Sequence, residues 1–171
     1  NTQNAFDAGE YGMGQLANSL ELGCDCLGHI HYFDAVLADW EGNPRVIKNA
    51  ICLHEEDFGI GWKHTDWRTN HVEVRRSRKL VISFFCTVGN YDYGFYWSFF
   101  QDGTINVEVK LTGCLNTGTF DETGTSKYGS EIAPGLLAVH HQHFFNFRLD
   151  TMLDGVKNSV VETETYAEPE G

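Results

Sequence analysis

Two runs, Leu80-Val81-Ile82-Ser83-Phe84-Phe85 and Phe95-Tyr96-Trp97-Ser98-Phe99-Phe100, limit what this chain can become. Branched and aromatic side chains at this density fit a pleated, half-buried surface, so both runs predict strands. Between them lies Gly89-Asn90-Tyr91-Asp92-Tyr93-Gly94, with turn-forming residues at both ends. After the second run, Gln101-Asp102-Gly103-Thr104 predicts an Asp-Gly hairpin turn. Ile105 to Leu111 then alternates apolar and polar with period two, the signature of a strand with one wet face. Val139 to Leu149 and Val156 to Thr165 also read as strands, and Asp121 to Ser130 as a surface loop. No convincing amphipathic helix and no internal repeat interrupt the pattern. The expected fold is mainly β, an antiparallel sandwich.

Charge narrows the partners. Twelve Lys and Arg stand against 24 Asp and Glu in 171 residues, a formal net charge of −12. That field repels phosphate, which argues against nucleic acid or an anionic membrane as partner. No apolar run reaches the roughly 18 residues of a spanning helix. The tail from Glu162 to Gly171 carries four Glu and predicts a mobile end or a link to further chain.

Several side chains have the chemistry of a site. His141-Gln142-His143 on a strand would put two imidazoles on one face, about 6.5–7 Å apart, able to share one ion of Cu, Zn, Fe or Ni. His140 would point the other way. Asp7, in Phe6-Asp7-Ala8-Gly9-Glu10-Tyr11-Gly12, has the surroundings of a carboxylate desolvated into a general base, although an ordinary turn aspartate has the same spelling. His54-Glu55-Glu56-Asp57 lacks the second histidine of a helical zinc motif, since position 58 is Phe58. Arg75-Arg76-Ser77-Arg78-Lys79 predicts a solvated strand with ion pairs. The four tryptophans, Trp40, Trp62, Trp67 and Trp97, predict core or interface positions.

Five cysteines leave an odd thiol: Cys24, Cys26, Cys52, Cys86 and Cys114. None has the Cys-x-x-Cys spacing of a metal knuckle. A Cys24–Cys26 bridge would be strained. Pairing either one with Cys52 closes a loop of about 25 residues and would contribute about 3 kcal/mol. Free buried thiols are the competing reading.

At Thr87-Val88-Gly89-Asn90-Tyr91-Asp92-Tyr93 a known pattern emerges. An aliphatic triplet (Leu80-Val81-Ile82), four residues, Thr87, two residues and then Asn90-Tyr91-Asp92-Tyr93 resembles the fingerprint of copper-containing amine oxidases. The resemblance extends through Phe6 to Gly12, Leu22 to Gly28, Asn49 to Asp57, Arg75 to Ser83 and Lys110 to Gly113, and covers about Asn4 to Asp154. It implies that residues 1–171 form part of one large catalytic β-sandwich domain. The family's N-terminal domains and the rest of its catalytic domain would lie outside them.

The resemblance also implies roles. Tyr91 resembles the tyrosine converted to topaquinone, and Asn90 would help orient that ring. Asp7 resembles the base that removes the substrate's α-proton. His141 and His143 resemble two of three copper ligands, the third belonging to a Thr-x-Gly/Ser-x-x-His segment not found before Gly171. Cys26 and Cys52 resemble a disulfide pair. Asp150, with the Thr151 carbonyl, falls near a peripheral site for calcium or another cation, where Met152 replaces a later acidic ligand. Ala5 stands where some members carry a bulkier channel gate. A quinone carbonyl captures a primary amine and the ring then takes its electrons. The implied reaction therefore joins a primary amine and dioxygen to give aldehyde, ammonia and hydrogen peroxide. A homodimer and a peroxisomal or secreted location are family expectations. The competing readings are a non-enzymatic metal-binding β-sandwich module and a mononuclear non-haem metal oxygenase using His141, His143 and a carboxylate.

Overall fold

The computed structural model describes residues 6–120 and 126–169 and divides at Val139 into two units. Ala5 and residues 121–125 of the expected loop lie outside the described residues. All the strand pairs of the first unit are antiparallel. Strands β1 (His31–Ala38), β2 (Pro44–Thr65), β3 (Val72–Val88), β4 (Tyr91–Phe100) and β5 (Ile105–Gly113) form a five-stranded sheet in sequence order. Strands β6 (Thr117–Thr119), β7 (Gly129–Ala133) and β8 (Leu136–Val139) form a second sheet in the order β6, β8, β7. The antiparallel, nearly helix-free architecture is the one the patterning predicts. Gly129 and Ser130, expected in a loop, belong to β7.

The two aromatic runs lie side by side in the sheet. Leu80 to Phe85 of β3 pairs with Gly94 to Phe99 of β4. Phe84 stacks on Phe95 with centroids 5.0 Å apart, and Phe85 meets Tyr96 edge-on at 6.0 Å. Val88 pairs with Tyr91, so only Gly89 and Asn90 make the turn. The Gly-Asn-Tyr-Asp-Tyr-Gly stretch is thus mostly strand, because Tyr91 and Tyr93 continue the alternation of β4. The Asp-Gly turn forms as expected: Phe100 N–H donates to the Thr104 carbonyl (2.9 Å) and Thr104 N–H to Asp102 Oδ1 (2.9 Å).

The 22-residue β2 changes partner along its length. Its first part, Pro44 to Leu53, pairs with β1, and its second, Cys52 to Thr65, pairs with β3. The edge of β3 beyond Ser83 is therefore left open by β2. Ala17 and Asn18 occupy it: Ala17 bridges Cys86, and Asn18 N–H donates to the Phe85 carbonyl at 2.8 Å. A short 3₁₀ turn, Met13–Leu16, leads into that edge. Met13 and Leu16 pack on a buried cluster of Cys86, Tyr93 and Phe95, which Val88 and Tyr91 also join.

The basic run is a solvated strand with ion pairs, as expected. Arg76 pairs with Asp57, Arg78 with Glu55 (2.7 Å), Lys79 with Glu56 (2.9 Å) and Arg75 with Glu73 (2.8 Å). Arg76 and the Gly59 N–H hold the Asp57 carboxyl down at about 2. Burial pushes Glu56 up, but Lys79 and His54 together hold it below the usual glutamate range. Carboxyls lowered on folding stabilise above their unfolded pKa and lose that stabilisation as they protonate. The melting temperature should therefore fall as pH drops from 4.5 towards 2. Arg76→Ala should shrink the fall in its lower part, read by thermal melts across pH.

Three expectations need correction. Residues 140–169 contain no strand among those described, so the first expected strand stops at Val139, the last residue of β8, and none forms over 140–149 or 156–165. A strand needs a partner for its N–H and C=O groups, and no described strand pairs with these two. Trp40, Trp62 and Trp67 are exposed, which overturns the core half of their core-or-interface expectation. Trp40 sits in the β1–β2 turn and Trp62 and Trp67 at the outer end of the β2–β3 ribbon, where Trp62 meets His64 and Arg68 lies over Trp67.

Candidate active site

Tyr91 opens β4 directly after the Gly89-Asn90 turn, and that position is enforced from three sides. Its hydroxyl accepts the Asn116 N–H at 3.1 Å. The Asn90 carbonyl accepts the Cys114 N–H at 2.7 Å. Across the sheet its partner is Gly113, whose φ of +108° lets the two backbones close together. The ring is half-buried, with its centroid 6.4 Å from that of Tyr93.

Two environments flank it. On one face lies the buried cluster with Cys86, whose thiol is pushed up to about 11 by burial and by the charge of Asp92. Cys86 therefore stays protonated at neutral pH, and a thiol is a poor nucleophile beside the thiolate. On the other face Thr87 and Asp92 are cross-strand partners. Thr87 Oγ1 donates to Asp92 Oδ1 (2.5 Å) and accepts from Asn18 Nδ2 (3.1 Å). Thr87 belongs to the fingerprint, but Asn18 carries no periodic or motif signal. Its contact spans 69 residues and is invisible in one sequence.

Asp7 takes the turn-aspartate alternative. It is exposed, and its Oδ1 accepts the Gly9 N–H at 2.8 Å, a local turn bond. Phe6 leans on Tyr11 with centroids 4.8 Å apart, and both rings face solvent. No desolvation against Phe6 is present, because Phe6 stacks forwards on Tyr11 instead of over the carboxylate.

His141 and His143 do come together, although no strand holds them. Their ring centroids are 4.8 Å apart and the planes are inclined by 63°. Two imidazoles at this separation can both reach one ion, and imidazole suits copper. No set of three His, Cys, Asp or Glu side chains converges among the described residues, so a full set of ligands would need a donor from elsewhere. Asp150 is exposed in the same unit.

Cys26 and Cys52 are thiols in this structure and lie side by side: the Cys26 thiol is hydrogen-bonded to Cys52 and adds to the shift by which burial pushes the Cys52 thiol up to about 12. On the same face of β2, Cys52 Sγ meets His54 Nδ1 at 3.5 Å, and His54 Nε2 meets Glu56 at 2.8 Å. Sequence spacing (positions 52, 54 and 56) contained that row, but only the strand assignment makes it legible.

A profile of the copper amine oxidase enzyme domain matches residues 1–171. The chain is 57% identical over 169 residues to a histamine oxidase of Arthrobacter globiformis, covering 99% of this chain and 25% of that one. It is 53% identical over 173 residues to the copper-containing peroxisomal diamine oxidase 1 of Nicotiana tabacum, covering 99% of this chain and 22% of that one. Among solved structures it resembles a copper-containing benzylamine oxidase from Hansenula polymorpha. The TM-score is 0.69 at 41% identity, covering 79% of this chain and 21% of that one. The chain thus spans about a quarter of the length of the curated relatives it matches.

Proposed function

The chain belongs to the copper amine oxidase family, and from that premise we propose that the whole protein oxidises primary amines to aldehyde, ammonia and hydrogen peroxide. One observation carries the reading. The fingerprint tyrosine, Tyr91, is the residue that backbone and side chain together fix at the mouth of the β3–β4 hairpin. Copper with dioxygen supplies the oxidation of that ring to topaquinone, an electrophilic carbonyl for a primary amine and a sink for its electrons.

This chain's residues do the rest. His141 and His143 hold copper, with a further ligand from the remainder of the protein. Asn90 orients the ring from the adjoining position. Asp7 takes the substrate's α-proton on Oδ2 while Oδ1 stays on the Gly9 N–H, which fixes the carboxylate's direction. Full basicity requires a desolvated carboxylate, so Asp7 must be covered in the assembled enzyme. Cys26 and Cys52 form the disulfide, leaving Cys24 free. Asp150, with the Thr151 carbonyl, takes a peripheral cation such as calcium. We further assign a homodimer, and a peroxisomal address supported by the name of the tobacco relative.

The test is mass spectrometry of the peptide bearing position 91. The full-length protein should carry an oxidised ring there after loading with copper in air, and an ordinary tyrosine when copper is withheld. His141→Ala and His143→Ala should each leave the ring unoxidised. An unmodified Tyr91 in copper-loaded, aerated, full-length protein would overturn the reading.

A further inference from the structure

We propose that Asn18 is a positioning residue for amine oxidation, fixing the segment that carries Asp7 to the hairpin that carries Tyr91. The inference rests on the reading above, in which Asp7 takes the proton and Tyr91 bears the quinone.

The segment from Asp7 to Asn18 is a strut of successive turns. Asp7 Oδ1 accepts from Gly9 N–H. Gly12 N–H donates to the Gly9 carbonyl (3.1 Å), Gln15 N–H to that of Gly12 (2.8 Å) and Ala17 N–H to that of Gly14 (3.2 Å). Such a strut transmits displacement, since each turn is tied to the next. It touches the sheet in three ways. Met13 and Leu16 pack on the cluster that includes Tyr91, but apolar burial is non-directional and tolerates sliding. Gln15 Nε2 donates to the Ala38 carbonyl at 2.6 Å, and Arg45 Nη1 donates to the Gln15 carbonyl (3.1 Å) and Oε1 (3.2 Å), which grips β1 and β2 and not the Tyr91 hairpin.

Asn18 supplies the directional tie. Its N–H bonds Phe85 on β3, and its Nδ2 donates to Thr87 Oγ1. Thr87 passes its own hydrogen across the Gly89-Asn90 turn to Asp92, the residue after Tyr91. These bonds are part-buried, where water competes less for the partners. Removing the Asn18 side chain would leave the backbone bond to Phe85 and the Ala17–Cys86 bridge as a pivot and let the strut tilt about it. A misplacement of about 1 Å between reacting groups can cost up to ~100-fold in rate. Quinone formation draws on copper, dioxygen and the Tyr91 ring and does not need Asp7, so it should be spared.

The experiment uses the full-length protein with Asn18→Leu, which keeps the volume and loses both polar atoms. In the copper-free protein, hydrogen–deuterium exchange of peptides covering residues 7–17 should speed up while β3–β4 amides stay protected. In the copper-loaded protein, quinone content should match wild type. The turnover number per quinone should fall about tenfold, and the isotope effect with an α-deuterated amine should rise. Thr87→Val should behave like Asn18→Leu, Thr87→Ser should restore the wild-type values, and the Asn18–Thr87 pair should be non-additive. Unchanged exchange and turnover in a folded Asn18→Leu protein would overturn the proposal. Should that variant not fold, the contrast between Thr87→Val and Thr87→Ser decides it. A wild type without quinone would instead sink the underlying oxidase reading, while the exchange measurement would still report whether Asn18 braces the strut.

Discussion

Tyr91→Phe in the full-length protein is expected to abolish turnover while leaving the protein folded. The substitution removes one oxygen. That oxygen accepts a backbone hydrogen bond from Asn116 at 3.1 Å, and losing such a bond costs about 1 kcal/mol. The ring remains to fill its half-buried place beside Tyr93, so a thermal melt should shift by little. The chemistry has no such tolerance. Phenylalanine offers no phenol for copper and dioxygen to oxidise, and without a ring carbonyl there is no electrophile for the amine. Hydrogen peroxide release from a primary amine should fall to background, and the quinone colour should be absent. Tyr93→Phe is the matched control, since Tyr93 shares the cluster and its hydroxyl, whose pKa burial raises, has no assigned chemistry. It should keep its colour and most of its turnover. A folded Tyr91→Phe protein that still oxidises amines would remove the central residue from the mechanism.

How legible this was in the sequence depended on the range of the interaction. Leu80 to Phe85, Phe95 to Phe100 and Ile105 to Leu111 declare themselves because strand period and turn chemistry are local, and β3, β4 and β5 form where they indicate. Tyr91 and the imidazole pair were legible through resemblance to a known family, since spacing alone left both open. Val139 to Leu149 has the composition of a strand, but β8 ends at Val139 and no described strand ladder continues beyond it, which composition cannot reveal. The long β2 hides the same lesson in reverse. Its pattern does not say that it leaves β1 for β3 near Cys52, yet that departure creates the open edge where Asn18 docks. Asp7 is the sharpest case: its neighbours Phe6 and Tyr11 suggest burial, but they stack on each other and leave the carboxylate in water.

Gly113→Ala should damage both the fold at this corner and the yield of quinone, because Gly113 is the surface against which Tyr91 is set. A methyl group at position 113 would collide with the Asn90 carbonyl oxygen and lie 2.8 Å from Tyr91 Cα and 2.9 Å from the Asp92 nitrogen. All three are backbone atoms, so no side chain can swing aside. The residue also sits at φ +108°, where a side chain is strained regardless of space. Strain of that kind costs about 1–3 kcal/mol, and the clash adds to it. The sheet can relieve the clash only by parting the ends of β4 and β5, which breaks the Cys114-to-Asn90 bond and pulls the Tyr91 hydroxyl from Asn116. A ring displaced in this way is misaligned for oxidation even when the imidazoles still bind copper. Gly103→Ala separates the two contributions, since Gly103 has φ +87° but nothing within 4 Å of the added methyl. It should lower the melting temperature by the backbone strain alone and leave quinone yield intact. Gly113→Ala should melt lower still and convert less of its Tyr91 at equal copper occupancy. Equal melting temperatures and equal quinone yields for the two variants would mean that the close approach at Gly113 is not what sets the ring.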